Sequence, residues 1–184
     1  MGRIRDVEPV KLFCGIIAVD EENVHTAEST LEECFGGIDI RSAIMPFDLT
    51  EYYRQEMGSN LLRRFVSFKK NIDPSGLSGV KTATNEIECR NRFSGNAGRG
   101  RMINLDPGYV TPAKVVLATT KDFSHRIYIG QGIYAEVTLQ CGKKGFTANE
   151  WTYPDFRSGN YDQFFRQIRE CLMKQRKSCG DGTC

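Results

Sequence analysis

The residues able to move protons or hold ions are few, and they fall in three stretches. His125 is one of two histidines. It closes the segment Thr119 to Ser124, beside Lys121 and Asp122, and an imidazole titrating near neutrality there can serve as general acid or base. Asp106 follows the short predicted strand Met102 to Leu105 and precedes Pro107-Gly108. A carboxylate at a strand end, held by a rigid turn, is placed for metal or substrate contact, although a turn-forming Asp bonded to its own backbone fits the pattern equally well. The span 47–58 packs Asp48, Tyr52, Tyr53 and Glu56 together. If it is helical, Asp48, Tyr52 and Glu56 share a face. Asp48, Glu56, Asp106 and Glu136 are hard oxygen donors, candidates for a divalent cation such as Mg. The second histidine, His25, belongs to an exposed helix face.

The segment 125–141 reads as a hairpin about Gly130-Gln131-Gly132. A three-residue loop pairs Ile129 with Ile133, Ile127 with Ala135 and His125 with Val137, which gathers the small apolar residues on one face. The other face then carries Tyr128 opposite Tyr134 and Arg126 opposite Glu136, either a surface ion pair or the polar wall of a cleft. Trp151, Tyr153 and Phe156 bracket Pro154, as a core lid or as rings able to stack on a base. The loop 90–101 holds four Arg and no acid. Gly95, Gly98 and Gly100 with Arg99 and Arg101 could wrap an anion through backbone N–H groups. No G-x-x-x-x-G-K-[ST] occurs, which excludes an orthodox phosphate loop.

The elements that must position these groups follow from periodicity. Val10 to Val19 is a continuous apolar run, the pattern of a central strand. Asp20-Glu21-Glu22 opens a helix whose stripe is Val24, Ala27, Leu31 and Phe35, stopped by Gly36-Gly37. Ile38 to Phe47 and Leu61 to Lys70 read as strands. Asp73-Pro74 caps a second helix with Leu77, Val80, Thr84 and Ile87 on one stripe. Met102 to Leu105 predicts a short strand, Thr111-Pro112 the start of a helix through Ala118, and 160–174 a final helix. The order predicts an α+β single domain over 8–174, a ferredoxin-like split βαβ sandwich with an added β-hairpin and C-terminal helix. A doubly wound α/β sheet is the alternative. Residues 175–184 are expected to form a flexible tail containing Cys.

The chain has 184 residues, enough for a sizeable core. Its 25 Lys and Arg nearly balance 23 Asp and Glu, which disfavours a nucleic-acid partner, although residues 20–39 hold seven acids and no Lys or Arg. The apolar run 12–19 is too short to span a membrane, and no secretory signal is expected. Seven cysteines, four of them (Cys14, Cys34, Cys141, Cys171) in predicted strands or helices, point to small buried thiols in a reducing, cytoplasmic setting.

Four motifs stand out as a set: Pro46-Phe47-Asp48-x-Thr50-x-Tyr52-Tyr53-x-x-Glu56-Met57-Gly58, Asn104-x-Asp106-Pro107-Gly108-Tyr109, Lys121-Asp122-Phe123-x-His125-Arg126-Ile127-Tyr128 with Gly132-Ile133-Tyr134-Ala135-Glu136-Val137-Thr138, and Trp151-Thr152-Tyr153-Pro154-Asp155. Together they resemble an uncharacterised bacterial family, domain of unknown function 4416, across roughly 8–172. Some members carry a GTP-binding label, to which this chain brings neither a phosphate loop nor an N-K-x-D. The resemblance implies that the polar residues of the motifs belong to one shared small-molecule site, lined by Asp48, Glu56, Asp106, Tyr109, Lys121, His125, Arg126 and Glu136.

The reading is a small enzyme, a hydrolase or transferase, acting on a phosphorylated or nucleotide-like substrate. Asp106, His125, Glu136 and Lys121 are its catalytic candidates. Asp106 and Glu136 would hold a cation or orient substrate, His125 would move a proton, and Lys121 and Arg126 would neutralise phosphate. Asp48, Tyr52, Glu56, Asn104, Tyr109, Arg126, Tyr128, Tyr134, Trp151 and Tyr153 are the binding candidates. The alternatives are a protein-interaction module using the acidic first helix, an RNA- or nucleotide-binding module, and a homodimer as its assembly.

Overall fold

The computed structural model describes residues 2–4, 6–48, 52–90, 100–143 and 145–180. Strand β1 (Lys11–Ala18) is buried at every position, which explains its unbroken apolar run. Both of its faces are covered. Leu12, Cys14, Ile16 and Ala18 meet Val24, Ala27 and Leu31 of helix α1 (Glu21–Phe35), whereas Phe13 meets Phe164 and Phe165 of helix α5 (Asp162–Gly180). Asp20 caps α1 by accepting from the Asn23 N–H at 2.8 Å, and Gly36 ends the helix. The fully buried Lys11 on the α5 face is matched by Asp39 at 2.5 Å.

The strands that follow are β2 (Ile38–Arg41), β3 (Met45–Phe47), β4 (Leu61–Phe68), β5 (Ile103–Val110), β6 (Lys114–Thr119), β7 (Ile127–Gly130), β8 (Ile133–Gly142) and β9 (Gly145–Ala148). They join one nine-stranded sheet in the order β2-β4-β1-β5-β6-β8-β7, with β3 paired to β4 and β9 to β8. Every pairing is antiparallel, so the doubly wound parallel alternative is overturned. Helices α1 and α3 (Leu77–Glu88) cover one face; α5 and the short α4 (Pro154–Arg157) cover the other. A further short helix, α2 (Arg54–Met57), lies over one end. The helix expected at 77–88 and the cap at Asp73 are both present, the cap accepting from the Ser75 N–H. No helix among the described residues is long and apolar enough to cross a membrane.

Five local expectations change. The strand read as Ile38 to Phe47 breaks at Ser42 into β2 and β3; the Ser42 N–H donates to the Phe65 carbonyl and its hydroxyl accepts from the Phe65 N–H. The segment after Thr111-Pro112 is strand β6 rather than a helix. Thr111 Oγ1 accepts from the Ala113 and Lys114 N–H groups, making a tight turn, and the β-branched run Val115-Val116 suits a strand. The strand at 102–105 extends to Val110, so Asp106 lies mid-strand and not at a turn. The hairpin pairs Ile127 with Ala135 and Tyr128 with Tyr134 as expected, but Gly130 pairs with Ile133 across a bulge, with Gln131 in the left-handed region at φ 56°. Helix α5 continues to Gly180, and Gln175 and Arg176 bond the carbonyls of Lys69 and Pro9. Of the four cysteines expected as buried thiols, Cys14 is buried, Cys141 and Cys171 are half-buried, and Cys34 is exposed on α1. Cys184 lies outside the described residues.

Candidate functional site

The site arises where the sheet opens. Strand β5 pairs with β1 along its whole length, yet β6 pairs with it only from Gly108 to Val110. Pro107 has no N–H to extend that ladder. Gly108 sits where the strands still touch, and a Cβ there would come 2.3 Å from the Val116 carbonyl and 2.7 Å from Phe13. Beyond it, the edge of β5 lacks a strand partner among the described residues, and side chains of α3 take its backbone hydrogen bonds instead. The Leu105 N–H donates to Glu88 at 2.7 Å, and the Leu105 carbonyl accepts from Lys81 Nζ at 2.7 Å. These two side chains, two turns apart on one stripe of the helix, substitute for the missing ladder and meet the rule that buried backbone groups find partners.

The gap is a cavity of about 370 Å³, within the range of small-molecule sites. Lys81 and Asn85 of α3 reach it through the opened sheet. Arg63, Asn104 and Asp106 stand on the strands at one side; Leu117 to Lys121 and Glu136 stand at the other; Tyr52, Tyr53 and the segment Tyr153 to Phe156 close over the top.

Arg63 organises one wall. Its side chain is 3% exposed, donates to Asp106 at 2.9 Å and to Asp155 at 3.0 Å, and lies over the Phe65 ring at 4.8 Å. Gly15 makes room for it, since a Cβ there would come 2.9 Å from Phe65 and 3.1 Å from the guanidinium. Asp106 also accepts from Asn104 Nδ2 at 2.9 Å. Burial pushes its carboxyl up, but the charges of Arg63 and Lys81 and the bonds from Arg63 and Asn104 pull it further down, so it ends below the ordinary carboxylate range. Arg101 is likewise held by two carboxylates, Glu88 and Glu56. Burial raises the Glu88 carboxyl against the pull of Lys81 and Arg101.

The opposite wall is built on Glu136, whose side chain is 1% exposed. It accepts from Arg126 Nε at 2.8 Å and lies 3.3 Å from His125 Nε2. Arg126 also donates to the Tyr153 hydroxyl at 2.8 Å. Burial, with the nearby Glu136 charge, pushes that hydroxyl up to about 12, so Tyr153 stays protonated at neutral pH. At the rim, Lys121 Nζ is 2.5 Å from the Tyr52 hydroxyl and 3.9 Å from the centre of its ring.

Of the residues singled out in the sequence, Tyr52, Asn104, Asp106, Lys121, Glu136 and Tyr153 line this cavity. His125 and Arg126 stand behind Glu136; His125 stacks on Trp151 at 5.2 Å and 11°, and the Trp151 N–H donates to the Val137 carbonyl. Glu56 meets the site only through Arg101. Asp48 lies in a separate shallow groove beside Pro46 and Asn60. Tyr109 packs on the α3 face against the Leu77 cluster. Tyr128 and Tyr134 form an edge-to-face pair on the β7–β8 hairpin. No group of three or more His, Cys, Asp or Glu among the described residues is placed to hold a metal ion, so Asp48, Glu56, Asp106 and Glu136 do not converge as a ligand set. Gly95, Gly98 and Arg99 of the glycine-rich loop lie outside the described residues.

The lining also includes Arg63, Lys81 and Asn85, which lie outside the four motifs, and Asp155, which ends the fourth motif without having been named a site candidate. A signal for two of them existed. Arg63 alternates with Leu61 and Phe65 and so falls on their buried face, and Lys81 falls one turn after Leu77 on the buried stripe of α3. A charge on an apolar phase is the mark of an internal partner or a cavity.

In agreement with the four motifs, the sequence matches the family model described as Domain of unknown function (DUF4416) over residues 8–171. The chain belongs to the DUF4416 family. The DUF4416 match takes in every strand and helix that lines the slot. No curated protein and no solved structure matches the chain.

Four of the seven acids between 20 and 39 have partners within the fold among the described residues. Asp20 is the cap, Glu28 binds Arg41 and Arg64, Glu32 accepts from the Ile38 N–H, and Asp39 binds Lys11.

Proposed function

We propose that this DUF4416 protein binds a small phosphorylated, nucleotide-like molecule in the slot between β5 and β6. One observation carries the reading. The arginines of the lining are each tied to two carboxylates, while Lys81 and Lys121 have none within ion-pair distance among the described residues. The cations of the lining without a carboxylate in ion-pair contact are therefore lysines, which bind phosphate as compact point charges. Asp106 and Asn104 offer bonds to hydroxyl or amide groups, and Tyr52, Tyr53, Tyr153 and Phe156 give apolar walls that suit a sugar or a base. Thermal-shift titration with glucose phosphate, adenosine monophosphate and their unphosphorylated parents tests this. Only the phosphorylated probes should raise Tm, and Lys121→Ala should reduce the rise. Equal responses to both sets would overturn the reading.

A second reading, hydrolysis or transfer at the phosphate, draws on Tyr153. Its hydroxyl accepts from Arg126 and keeps its own proton beside the buried Glu136–Arg126 pair, so it can donate a hydrogen bond that stabilises charge on a leaving-group oxygen. Its test is phosphate release by wild type and Tyr153→Phe. Turnover that Tyr153→Phe leaves unchanged would remove that role.

The fold supports a finer proposal as well. The unit β1-α1-β2/β3-β4-α3-β5 follows the split βαβ order β2-β4-β1-β5 of a ferredoxin-like sheet, with β6 to β9 added along the β5 edge.

A further inference from the structure

A helix packed on one face of a sheet normally contributes nothing to a site on the other face, because the strands stand between. Here the parting of β5 and β6 removes that barrier, and Lys81 lines the cavity from below. Lys81 is 7% exposed and its ammonium makes one hydrogen bond among the described residues, to the Leu105 carbonyl. An ammonium carries three donors, so two remain at the cavity floor. Leaving such donors unpaired in a buried place is costly. Lys121 stands at the other end, on the exposed rim beside Tyr52. The floor and the rim thus each hold one lysine with no carboxylate in ion-pair contact among the described residues, one fixed by burial and one reached from solvent. Between them, Asp106 and Asn104 face the cavity as acceptor and amide.

Resting on the phosphate-binding reading above, we propose that the slot takes a two-headed anion. One oxyanion group sits on Lys81 and Asn85 at the floor, the other on Lys121 at the rim, and hydroxyl groups between them bond Asp106 and Asn104. The class is a small polyhydroxylated molecule with an anionic group at each end, such as a sugar bisphosphate or a phosphorylated hydroxy acid, rather than a simple phosphate monoester.

Isothermal titration of the full chain with fructose bisphosphate, phosphoglycerate, glycerol phosphate and inorganic phosphate tests this. The first two should bind at least about tenfold tighter than the last two, a difference of one additional charge-assisted contact. Lys81→Met and Lys121→Met should each bring the two-headed probes down to the affinity of glycerol phosphate. If Lys81→Met does not fold, Asn85→Leu, which changes the same floor without touching the Leu105 carbonyl, should weaken the two-headed probes alone. Equal affinity for one- and two-headed anions, or two-headed binding unchanged by either floor substitution, would overturn the two-headed proposal and leave the phosphate reading intact. If none of the four probes binds, both proposals fall.

Discussion

Replacing Arg63 by Met tests whether the charged wall of the slot is a structural clamp. Arg63 is buried, holds Asp106 and Asp155 at 2.9 and 3.0 Å, and lies over Phe65 and Phe47. Methionine approximates its stem but leaves two carboxylates without their cation. Removing one partner of a buried ion pair costs about 3–5 kcal/mol. Asp106 keeps some access to water, its side chain being 25% exposed, so the lower part of that range applies, about 3 kcal/mol. For a chain of this size that lowers Tm by roughly 10 °C. Asp106→Asn should cost less, about 2 kcal/mol, because Arg63 keeps Asp155. Urea unfolding of both single variants and the double variant gives the coupling, and the double should cost clearly less than the sum. The pH dependence supplies a second arm. Asp106 has its carboxyl held low by Arg63 and Lys81, so its contribution is complete above the ordinary carboxylate range and is lost as pH falls through the depressed value. The stability gap between wild type and Arg63→Met should therefore narrow on acidification. A loss under about 1 kcal/mol, or a gap that widens in acid, would falsify the clamp.

Other expectations follow from the opened sheet. Gly108→Ala drives a Cβ into the Val116 carbonyl, a backbone atom that cannot swing aside; it should cost about 3 kcal/mol or more by chemical denaturation. Glu88→Ala strands the Leu105 N–H and should cost about 2 kcal/mol with faster hydrogen exchange at Leu105, whereas Glu88→Gln retains an acceptor and should cost less. Burial holds the Glu88 carboxyl above its ordinary value, so wild type should lose stability relative to Glu88→Gln as pH rises from that value through the raised one; parallel pH profiles would contradict this. Asp20→Ala removes the cap of α1 and should cost about 1 kcal/mol in thermal melts.

Much of the architecture could be read from the chain because local rules and tertiary needs agree there. Asp20 and Gly36 bound α1 because a side-chain acceptor and a glycine end are what helix termini need. The hairpin pairing of Tyr128 with Tyr134, and of Arg126 with Glu136, followed from keeping small apolar residues on one face. Where the rules conflicted, the reading failed. Thr111-Pro112 looks like a helix start, yet the same threonine oxygen serves a tight turn, and the valines after it decide for a strand. Asp106 looks like a turn residue because Pro and Gly follow it, yet Pro107 is tolerated in β5 where its partner strand falls away, and Gly108 fits where β6 comes too close for a Cβ.

The same division holds for the site. Residue types identified Asp106, Lys121, Glu136 and Tyr153 as candidates, and the motif resemblance added Asn104, because polar side chains set in apolar or motif-bearing stretches are costly unless they meet a partner or a ligand. Residue types could not separate these from His125, Trp151 or Asp48, since convergence depends on where the sheet opens, a property of nine strands together. That opening is what brings Lys81 and Asn85 through to the far face, whereas Tyr109 stays on the near one by strand alternation. Chain-local patterning thus determined strands, helices and their buried phases, while the parting of β5 from β6 was decided only by tertiary structure, because a missing ladder bond shows itself in the position of a neighbour and not in any residue's own propensity.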